Sequence, residues 1–432
     1  MLSVLANRTY RHLFLAQVVA LIGTGLATVA LGLLAFDLAG AQAGAVLGTA
    51  LAIKMTAYIG VAPIAAAFAE RLPRKTMLVA LDLVRAAVAL LLPFVTEIWQ
   101  VYVLIFVLQS ASAAFTPTFQ ATIPDILPDE RDYTRALSLS RLAYDLESVF
   151  SPMLAALLLT VVSFHSLFAG TVVGFLVSAA MVVSVTLPLA QKGPKRGIYE
   201  RTTRGLRIFL ATPRLRGLLA LNLAVAAASA MVIVNTVVLV QAQFSLPQTS
   251  TATALMAFGG GSMLVALILP RLLDKLVDRN VMLFGAFILV VGLFAGMLVS
   301  SFNLLLILWF VLGAGYSLAQ TPSGRILRRS SNSLDRPALF AAQFALSHAC
   351  WLITYPLAGW LGANFSMTAA FVGLAILAGA ALAVGLKIWR PEYDEDVIQH
   401  RHDDLPEDHE HISEGKEHAH SYVIDDDHRR WP

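Results

Sequence analysis

Long apolar runs, each close to the length needed to cross a lipid bilayer, dominate the first 390 residues. A transmembrane helix needs about 20 predominantly apolar residues. The runs lack the alternation of barrel strands, and lipid offers backbone groups no hydrogen-bonding partner outside the chain, so each run is predicted to be a helix. The sequence thus predicts an all-α membrane protein with twelve transmembrane helices, over residues 13–36, 44–68, 76–94, 99–120, 136–161, 167–189, 215–241, 251–273, 281–300, 303–324, 339–361 and 367–389.

Lysine and arginine are confined to alternate loops between these runs. Basic residues occur in the segments 8–11, 71–75, 131–135, 192–216, 271–279 and 325–336, whereas the opposite loops contain none. Because cytoplasmic loops carry an excess of Lys and Arg, both termini are predicted to be cytoplasmic.

Several landmarks recur at a fixed offset and divide the chain into two halves. The pairs are Pro152 and Pro356, 204 residues apart, Thr116-Pro117 and Thr321-Pro322, 205 apart, and the basic loops after the second and eighth predicted spans, 204 apart. Parallel repeats of this kind occur in secondary transporters. We therefore predict a six-helix bundle over 1–190, a basic cytoplasmic linker over 191–214, a second six-helix bundle over 215–390 and a cytoplasmic tail over 391–432.

The first of these loops reads Glu70-Arg71-x-Pro73-Arg74-Lys75. It resembles the loop signature of the major facilitator superfamily, and with the twelve spans and the repeat it identifies the chain as a member over about residues 1–390. The resemblance implies the major facilitator fold, alternating access, and a cytoplasmic gate built on this loop. The expected gate residues are Glu70, Arg71, Arg74 and Lys75, with Asp82, Arg85, Asp125, Asp129 and Glu130 joining by position, and Asp274 and Lys275 in the repeat.

Four ionisable residues within predicted spans are candidates for transport or proton coupling, because charge at membrane depth is costly and usually functional. Lys54 and His348 lie at similar depths on the second and eleventh spans, which pack together in the superfamily, so they are expected to approach each other. Asp145 and Glu147 lie on the fifth span and point about 200° apart at 100° per residue, so they cannot both face one site. The alternatives are structural: an interhelical hydrogen bond for His348, snorkelling for Lys54, and an Arg141–Asp145 bridge.

The last 33 residues hold seven of the ten histidines, interleaved with acids. Imidazole and carboxylate are ligands for Ni²⁺, Co²⁺, Cu²⁺ and Zn²⁺, and the tail, low in apolar residues, is predicted to be disordered without metal. The tail could capture cytoplasmic metal for export, sense metal or buffer it, and the sequence leaves these three roles open. The predicted metal ligands are His400, His402, His409, His411, His418, His420 and His428.

This tail resembles that of the NreB-type nickel-resistance exporters of bacteria, which implies proton-driven efflux of Ni²⁺ or Co²⁺ across the bacterial inner membrane. The run from Phe115 to Asp125 instead looks like the drug and macrolide efflux branch of the superfamily, so drug efflux is the first alternative. A membrane-bound metal sensor without transport is the second. The chain contains no nucleophile–base constellation, phosphate loop or HExxH motif, and Cys350 is its only cysteine. We therefore expect a monomeric carrier of metal and protons in lipid, with no enzymatic activity, cofactor or nucleic-acid partner.

Overall fold

The computed structural model describes residues 2–39, 43–69, 72–188, 197–395, 397–401, 417–428 and 430–432. Within these ranges the chain is almost entirely helical, with one two-stranded antiparallel sheet near its end. The elements are α1 (Arg8–Ala39), α2 (Ala43–Ala69), α3 (Arg74–Leu91), α4 (Ile98–Ile126), α5 (Glu130–Leu158), α6 (Phe164–Val183), α7 (Ile198–Ala211), α8 (Pro213–Val237), α9 (Gln248–Leu273), α10 (Asp278–Ala295), α11 (Phe302–Gln320), α12 (Ser323–Arg329), α13 (Arg336–Asn364), α14 (Met367–Ile388), β1 (Val397–Arg401) and β2 (Glu417–Ser421).

Ten of the described helices are long and apolar enough to cross a membrane, so the chain is a multi-pass membrane protein. The other two predicted spans correspond to α2 and α5, which are continuous helices of 27 and 29 residues. At 1.5 Å per residue each is about 40 Å long, more than the hydrocarbon core requires. The sequence of α5 is the more polar because it carries Arg141, Asp145 and Glu147. Both helices pack between neighbours at the boundary of the two halves, where polar side chains meet protein rather than lipid.

The helices form two six-helix halves, α1–α6 and α8–α14, the second including the short α12. Inside the first half α1 and α3 pack on α6 and α2 packs on α4, while in the second α8 packs on α14 and α9 packs on α11. The halves meet where α2 packs on α13 and where α5 packs on α9. The sequence repeat relates these two contacts to each other, because α2 is the counterpart of α9 and α5 is the counterpart of α13. The fold is the one expected of the superfamily.

Small residues allow the closest helix pair of the second half. A Cβ added at Gly261 of α9 would overlap the carbonyl group of Phe310, and one added at Gly313 of α11 would overlap that of Phe258. Membrane helices associate largely through such close backbone approach, because lipid tails leave little hydrophobic drive between them.

The basic loops lie together at one end of the bundle, which we call the basic end. Ion pairs there join Arg131 to Asp274 and Arg204 to Asp335. Both termini are at this end, since Arg135 donates a hydrogen bond to Ser3 and Arg204 forms an ion pair with Asp426 in the tail. That the basic end faces the cytoplasm remains a prediction from the charge bias of the loops.

Candidate transport pathway, gate and histidine tail

Lys54 and His348 approach each other across the boundary of the halves, on α2 and α13. The Lys54 Nζ lies 5.5 Å from the centroid of the Tyr58 ring, and the His348 ring lies 4.7 Å from the same ring, edge to face. Lys54 is also close enough to interact electrostatically with His348. The expected proximity of the two residues is therefore observed, with Tyr58 between them.

One hydrogen bond fixes the tautomer of His348. Its Nδ1 lies 2.7 Å from the carbonyl oxygen of Phe344, one turn earlier on α13. A carbonyl oxygen only accepts, so Nδ1 carries the proton, and in the neutral ring Nε2 carries the lone pair. A histidine held in this way offers Nε2 to a metal or a proton.

Glu147 joins this group from α5. A Cβ added at Gly25 of α1 would lie 2.8 Å from Glu147 Oε1, so the carboxylate packs directly against the α1 backbone. Glu147 also interacts electrostatically with Lys54. Three of the four predicted coupling residues, Lys54, Glu147 and His348, thus surround one region between α1, α2, α5 and α13.

Asp145 faces elsewhere, as its helical offset from Glu147 requires. It forms an ion pair with Arg141, whose Nε lies 3.1 Å from Asp145 Oδ2. Arg141 also donates to the Tyr316 hydroxyl over 3.2 Å and lies 4.6 Å from that ring. Asp145 is therefore engaged in a link between α5 of the first half and α11 of the second. Sequence reasoning missed Tyr316, since nothing in the sequence connects it to a residue 175 positions away.

Ion pairs join the two halves at the basic end, where the gate was predicted, and we call this network the gate. Asp125, at the end of α4, lies 2.5 Å from Arg74 of its own half and also binds Arg336 at the start of α13. Arg325 of α12 lies 2.6 Å from Glu130 at the start of α5. The pairs join the ends of helices that would have to separate for the basic end to open.

The two halves build this gate with opposite charges at equivalent positions. Arg74 and Asp125 of the first half correspond, at the repeat offset of 204, to Asp278 and Arg329 of the second. Both pairs form: Arg74 binds Asp125 at 2.5 Å, and Arg329 binds Asp278 at 3.4 Å. Each half therefore presents both charges at the basic end, so residues of one half can pair with residues of the other. Asp125 of the first half pairs in this way with Arg336 of the second.

The other predicted gate residues are only partly brought into this network. Asp274 pairs with Arg131 across the halves at 3.6 Å. Lys75, next to Arg74, is half-buried and Lys275 is exposed. Asp129 caps α5 by accepting a hydrogen bond from the Asp132 backbone. Glu70 and Arg71 lie outside the described residues.

The structure does not bring Asp82 and Arg85 to the gate. They form a buried ion pair with each other inside the first half. Ser178 of α6 donates to Asp82, and the Arg85 guanidinium lies 4.0 Å and 4.6 Å from the rings of Phe115 and Phe175. They lie two or three turns along α3 from Arg74, inside the bundle, where a charge is tolerated only if it is paired and hydrogen-bonded.

Part of the tail forms a β-hairpin, contrary to the prediction of disorder. β1 and β2 pair antiparallel, with His400 directly opposite His418. His418 and His420 lie on one face of β2, because side chains alternate along a strand. Four predicted ligands, His400, His418, His420 and His428, come together.

The tail buries Tyr422 and Ile424 against the second half, and this apolar contact offsets the entropic cost of ordering the chain. His402, His409 and His411 lie outside the described residues.

Hydrogen bonds fix the tautomers of three of these histidines. Nδ1 of His400, His420 and His428 lies 2.9 Å from the Ile398 carbonyl, the Ser421 carbonyl and the Asp425 carboxylate, respectively. These oxygens only accept, so each Nδ1 carries a proton, and in the neutral ring each Nε2 carries the lone pair. Histidines that bind metals are usually held in this way.

The candidate ligand atoms lie close together. Ligand nitrogens of His400, His418 and His420 all lie within 4.8 Å of one another, and Nε2 of His428 lies 3.1 Å from Nε2 of His400. Two nitrogens bound tetrahedrally at about 2.0–2.1 Å from a metal lie about 3.3–3.4 Å apart. Two facing lone pairs repel unless a proton or a cation lies between them. Burial and the neighbouring histidines lower the pKa of His400, which favours its neutral, ligating form.

A helical bundle of two repeated halves, with polar residues between them and an ion-pair gate at one end, defines a membrane transporter. The chain belongs to the Major Facilitator Superfamily, whose profile matches residues 13–277 and again 218–419.

Among curated proteins the chain is similar to the uncharacterized MFS-type transporter YfiS of Bacillus subtilis, with 25% identity over 278 residues, which is 60% of this chain and 64% of that protein. It is also similar to macrolide efflux protein A of Streptococcus pyogenes, with 26% identity over 152 residues, 33% of this chain and 37% of that protein. The chain thus spans less than two thirds of the length of either relative.

Two solved structures share the fold. The human organic anion transporter MFSD10 aligns with a TM-score of 0.77 and 11% identity, covering 88% of this chain and 99% of that one. The Escherichia coli fucose:proton symporter aligns with a TM-score of 0.69 and 14% identity, covering 88% and 98%.

Proposed function

We propose that the protein exports a divalent transition metal, Ni²⁺ foremost and Co²⁺ as its closest rival, from the cytoplasm in exchange for protons. The observation that carries this proposal is the cluster of His400, His418, His420 and His428, with three rings held so that Nε2 is the ligand atom. Imidazole suits these metals. Next to the gate, the cluster would raise the metal concentration at the inner mouth of a monomeric carrier that needs no cofactor.

Within the membrane, His348, Glu147 and Lys54 are the proposed transit and coupling residues. His348 supplies a nitrogen ligand and Glu147 an oxygen ligand, while Lys54 already supplies a positive charge beside both. An arriving divalent cation competes with the Lys54 ammonium for the Glu147 carboxylate. A proton on Glu147 or His348 removes a ligand and lets the metal leave. Asp145 is the weaker coupling candidate, because it is engaged with Arg141.

Alternating access would follow from breaking and re-forming the gate. The ion pairs close the basic end in this structure, so this conformation would be the one from which metal leaves to the outside. Opening the basic end would separate Asp125 from Arg336 and Glu130 from Arg325, and would expose the pathway to the tail.

Efflux of an apolar organic molecule is the second candidate. An aromatic group beside the pathway favours it: Tyr58 lies 4.8 Å from Phe344, and Trp351 lies 5.5 Å from Tyr355. Drug-sized ligands bind mostly to apolar and aromatic walls. The similarity to macrolide efflux protein A points the same way.

The deciding experiment measures metal tolerance and nickel content of a sensitive bacterial host. It compares the full chain, a version ending at Asp396 and the His348→Ala variant, with His165→Ala as a matched control. The His165 ring lies 3.9 Å from that of Phe164, at the opposite end of the bundle from the tail. A metal exporter lowers cellular nickel, His348→Ala abolishes the effect and His165→Ala leaves it intact.

The other outcomes of this experiment each indicate a different function. Unchanged nickel content together with tolerance to a macrolide would replace metal efflux by drug efflux. Metal binding to the purified protein without any export would leave a membrane-bound sensor. Full activity of the version ending at Asp396 would reduce the tail to an accessory.

A further inference from the structure

The ordered tail is docked on the basic end of the second half. The rings of Tyr422 and Trp431 lie 5.3 Å apart, and Trp431 lies 5.4 Å from the Arg214 guanidinium. Arg214 is fully buried at the start of α8 and donates to the carbonyls of Arg329 and Tyr422. The hairpin is therefore part of the folded body.

One arginine links the tail to the helix that carries the gate. Arg204 of α7 pairs with Asp426 of the tail at 2.8 Å and with Asp335 at 2.9 Å. Asp335 immediately precedes Arg336, the partner of Asp125 across the halves. Arg204 thus connects the tail to Asp335, the residue immediately before α13.

The helix that bears Arg204 touches both halves. α7 packs on α13 of the second half and on α2 of the first. Its contact with α13 is close, because a Cβ added at Gly205 would overlap the carbonyl group of Ala338. When the basic end opens, α2 and α13 separate, so α7 cannot keep both contacts.

A second link runs from the base of the tail. Arg329 donates to the Asp394 carbonyl at 2.7 Å and pairs with Asp278, the buried acid of the gate, at 3.4 Å. The docked tail is therefore tied to the gate through α12 as well as through α7.

The histidine cluster exists only while the tail is folded in this way. His400 comes from β1, His418 and His420 from β2, and His428 from the loop that also carries Asp426. A metal bound to these residues would fasten the loop bearing Asp426 to the hairpin. Whatever binds the docked tail and not the undocked tail stabilises docking.

We propose that metal on the tail and opening of the gate oppose each other, with the Asp426–Arg204–Asp335 contact as the coupling. A loaded tail holds the basic end closed, and opening of the basic end breaks the cluster and releases its metal at the mouth of the pathway. This inference rests on the proposed function only in requiring that the tail binds a divalent metal. Because coupling free energies are reciprocal, the gate must affect the tail as strongly as the tail affects the gate.

Closure is best measured where the tail makes no described contact. Arg131 and Asp274 face each other across the halves, and both are exposed, with 75% and 46% of their side chains accessible. Such a pair contributes little to stability. An Arg131→Cys/Asp274→Cys variant in a Cys350→Ser background, treated with a short bifunctional maleimide, therefore reports gate closure in the full-length protein.

The probe is Ni²⁺ added to the purified protein. We expect Ni²⁺ to raise the rate of crosslinking by about fivefold or more, within the usual range of allosteric coupling. A His400→Ala/His418→Ala variant should lose this response. The matched control, His409→Ala/His411→Ala, removes the same number of histidines from outside the described cluster and should keep it.

The decisive variant is Asp426→Asn. It removes the charge that binds Arg204 but no histidine, so Ni²⁺ should still bind by calorimetry while its effect on crosslinking is lost. In the opposite direction, Glu130→Gln weakens the gate and should lower the Ni²⁺ affinity of the tail by a similar factor. An unchanged crosslinking rate together with an unchanged affinity in Glu130→Gln would overturn the coupling, as would an Asp426→Asn variant that responds normally.

This outcome is separable from the proposed function. A protein that exports nickel but shows no response of the gate retains the proposed function and loses the coupling. A protein whose gate responds to Ni²⁺ but which exports none retains the coupling and loses the proposed function.

Discussion

Asp125 offers the sharpest test of the closed gate, because a single carboxylate holds two arginines from different halves. It binds Arg74 and Arg336, and 18% of its side chain is exposed. Asp125→Asn keeps the size of the side chain and leaves the two guanidinium groups side by side. Removing one partner costs about 3–5 kcal/mol when an ion pair is fully buried and about 0–1 kcal/mol when it is exposed. For this partly exposed site we expect about 2 kcal/mol against closure, which is roughly a 30-fold shift toward opening.

A cysteine placed in the gate reports this shift. Ser333 lines a cavity of about 330 Å³ together with Arg74, Asp125 and Arg336. In a Ser333→Cys/Cys350→Ser background, Asp125→Asn should accelerate maleimide labelling by about the same 30-fold factor, since labelling follows the open population.

The matched control is Arg131→Ala, which breaks the exposed pair with Asp274 across the same boundary. It should accelerate labelling less than about fivefold, because an exposed pair is worth at most about 1 kcal/mol. Equal labelling rates in Asp125→Asn and the parent would refute the reasoning that this ion pair holds the basic end closed.

Three further predictions concern the tail, the pathway and the packing. His418→Ala should weaken Ni²⁺ binding in calorimetry by about tenfold or more, whereas His165→Ala should not, because only the former removes a ligand. Glu147→Gln should slow proton-driven metal transport into inverted vesicles by about tenfold or more, because an amide cannot exchange a proton with the pathway; equal rates would exclude Glu147 as the coupling group. Gly261→Val should destabilise the protein by about 1–3 kcal/mol, seen as a lower Tm in detergent, because the added methyl groups collide with the Phe310 carbonyl.

The fold was predictable because several independent features of the sequence indicate it. Twelve apolar runs and a repeat offset of 204 give the number, type and pairing of the helices. The predicted span 136–161, which overlaps α5, was recognised as an apolar run although it contains Arg141, Asp145 and Glu147. The proximity of Lys54 and His348 followed from the packing of α2 on α13, which the resemblance implied.

The partners of charged residues were harder to predict, because they depend on side-chain direction. Asp82 and Arg85 lie close enough in sequence to the gate loop to suggest a common network, yet both point into the first half, where Ser178 and two aromatic rings receive them. The pairing of Arg141 with Tyr316 joins residues that no local pattern connects.

The tail was predicted least well, since composition alone suggested disorder. Its described part folds because Tyr422 and Ile424 pack on the second half and because the buried Arg214 donates a hydrogen bond to the Tyr422 carbonyl. A few apolar residues are enough to order a segment when they pack on a surface that is already folded. The seven histidines interleaved with acids predicted a metal site, but they did not predict that His428 would contact His400 across 28 residues.

Acidification should empty the tail and undock it. Burial and the neighbouring histidines lower the pKa of His400 below its ordinary value of 6.5 in the docked tail. An undocked tail therefore binds more protons than a docked one, so docking is strongest above about pH 6.5 and weakens as the pH falls from there toward the lowered pKa. The metal acts in the same direction, because it requires neutral imidazole.

The pKa of Asp425 bears on the other end of this pH range. Burial raises the pKa of this carboxyl, but hydrogen bonds from His428 and Asp427 outweigh burial and leave it below its usual value. Its contribution to docking is thus complete above about pH 4 and is lost only in stronger acid. Titrating the full-length protein and following its tryptophan fluorescence, to which Trp431 contributes, should accordingly show undocking that begins as the pH falls below about 6.5, where His400 and not Asp425 changes its proton content. A transition confined to pH 4 or below would assign the control of docking to the carboxylates, and a shift of the transition to lower pH on addition of Ni²⁺ is the signature expected of a metal that competes with protons for the same nitrogens.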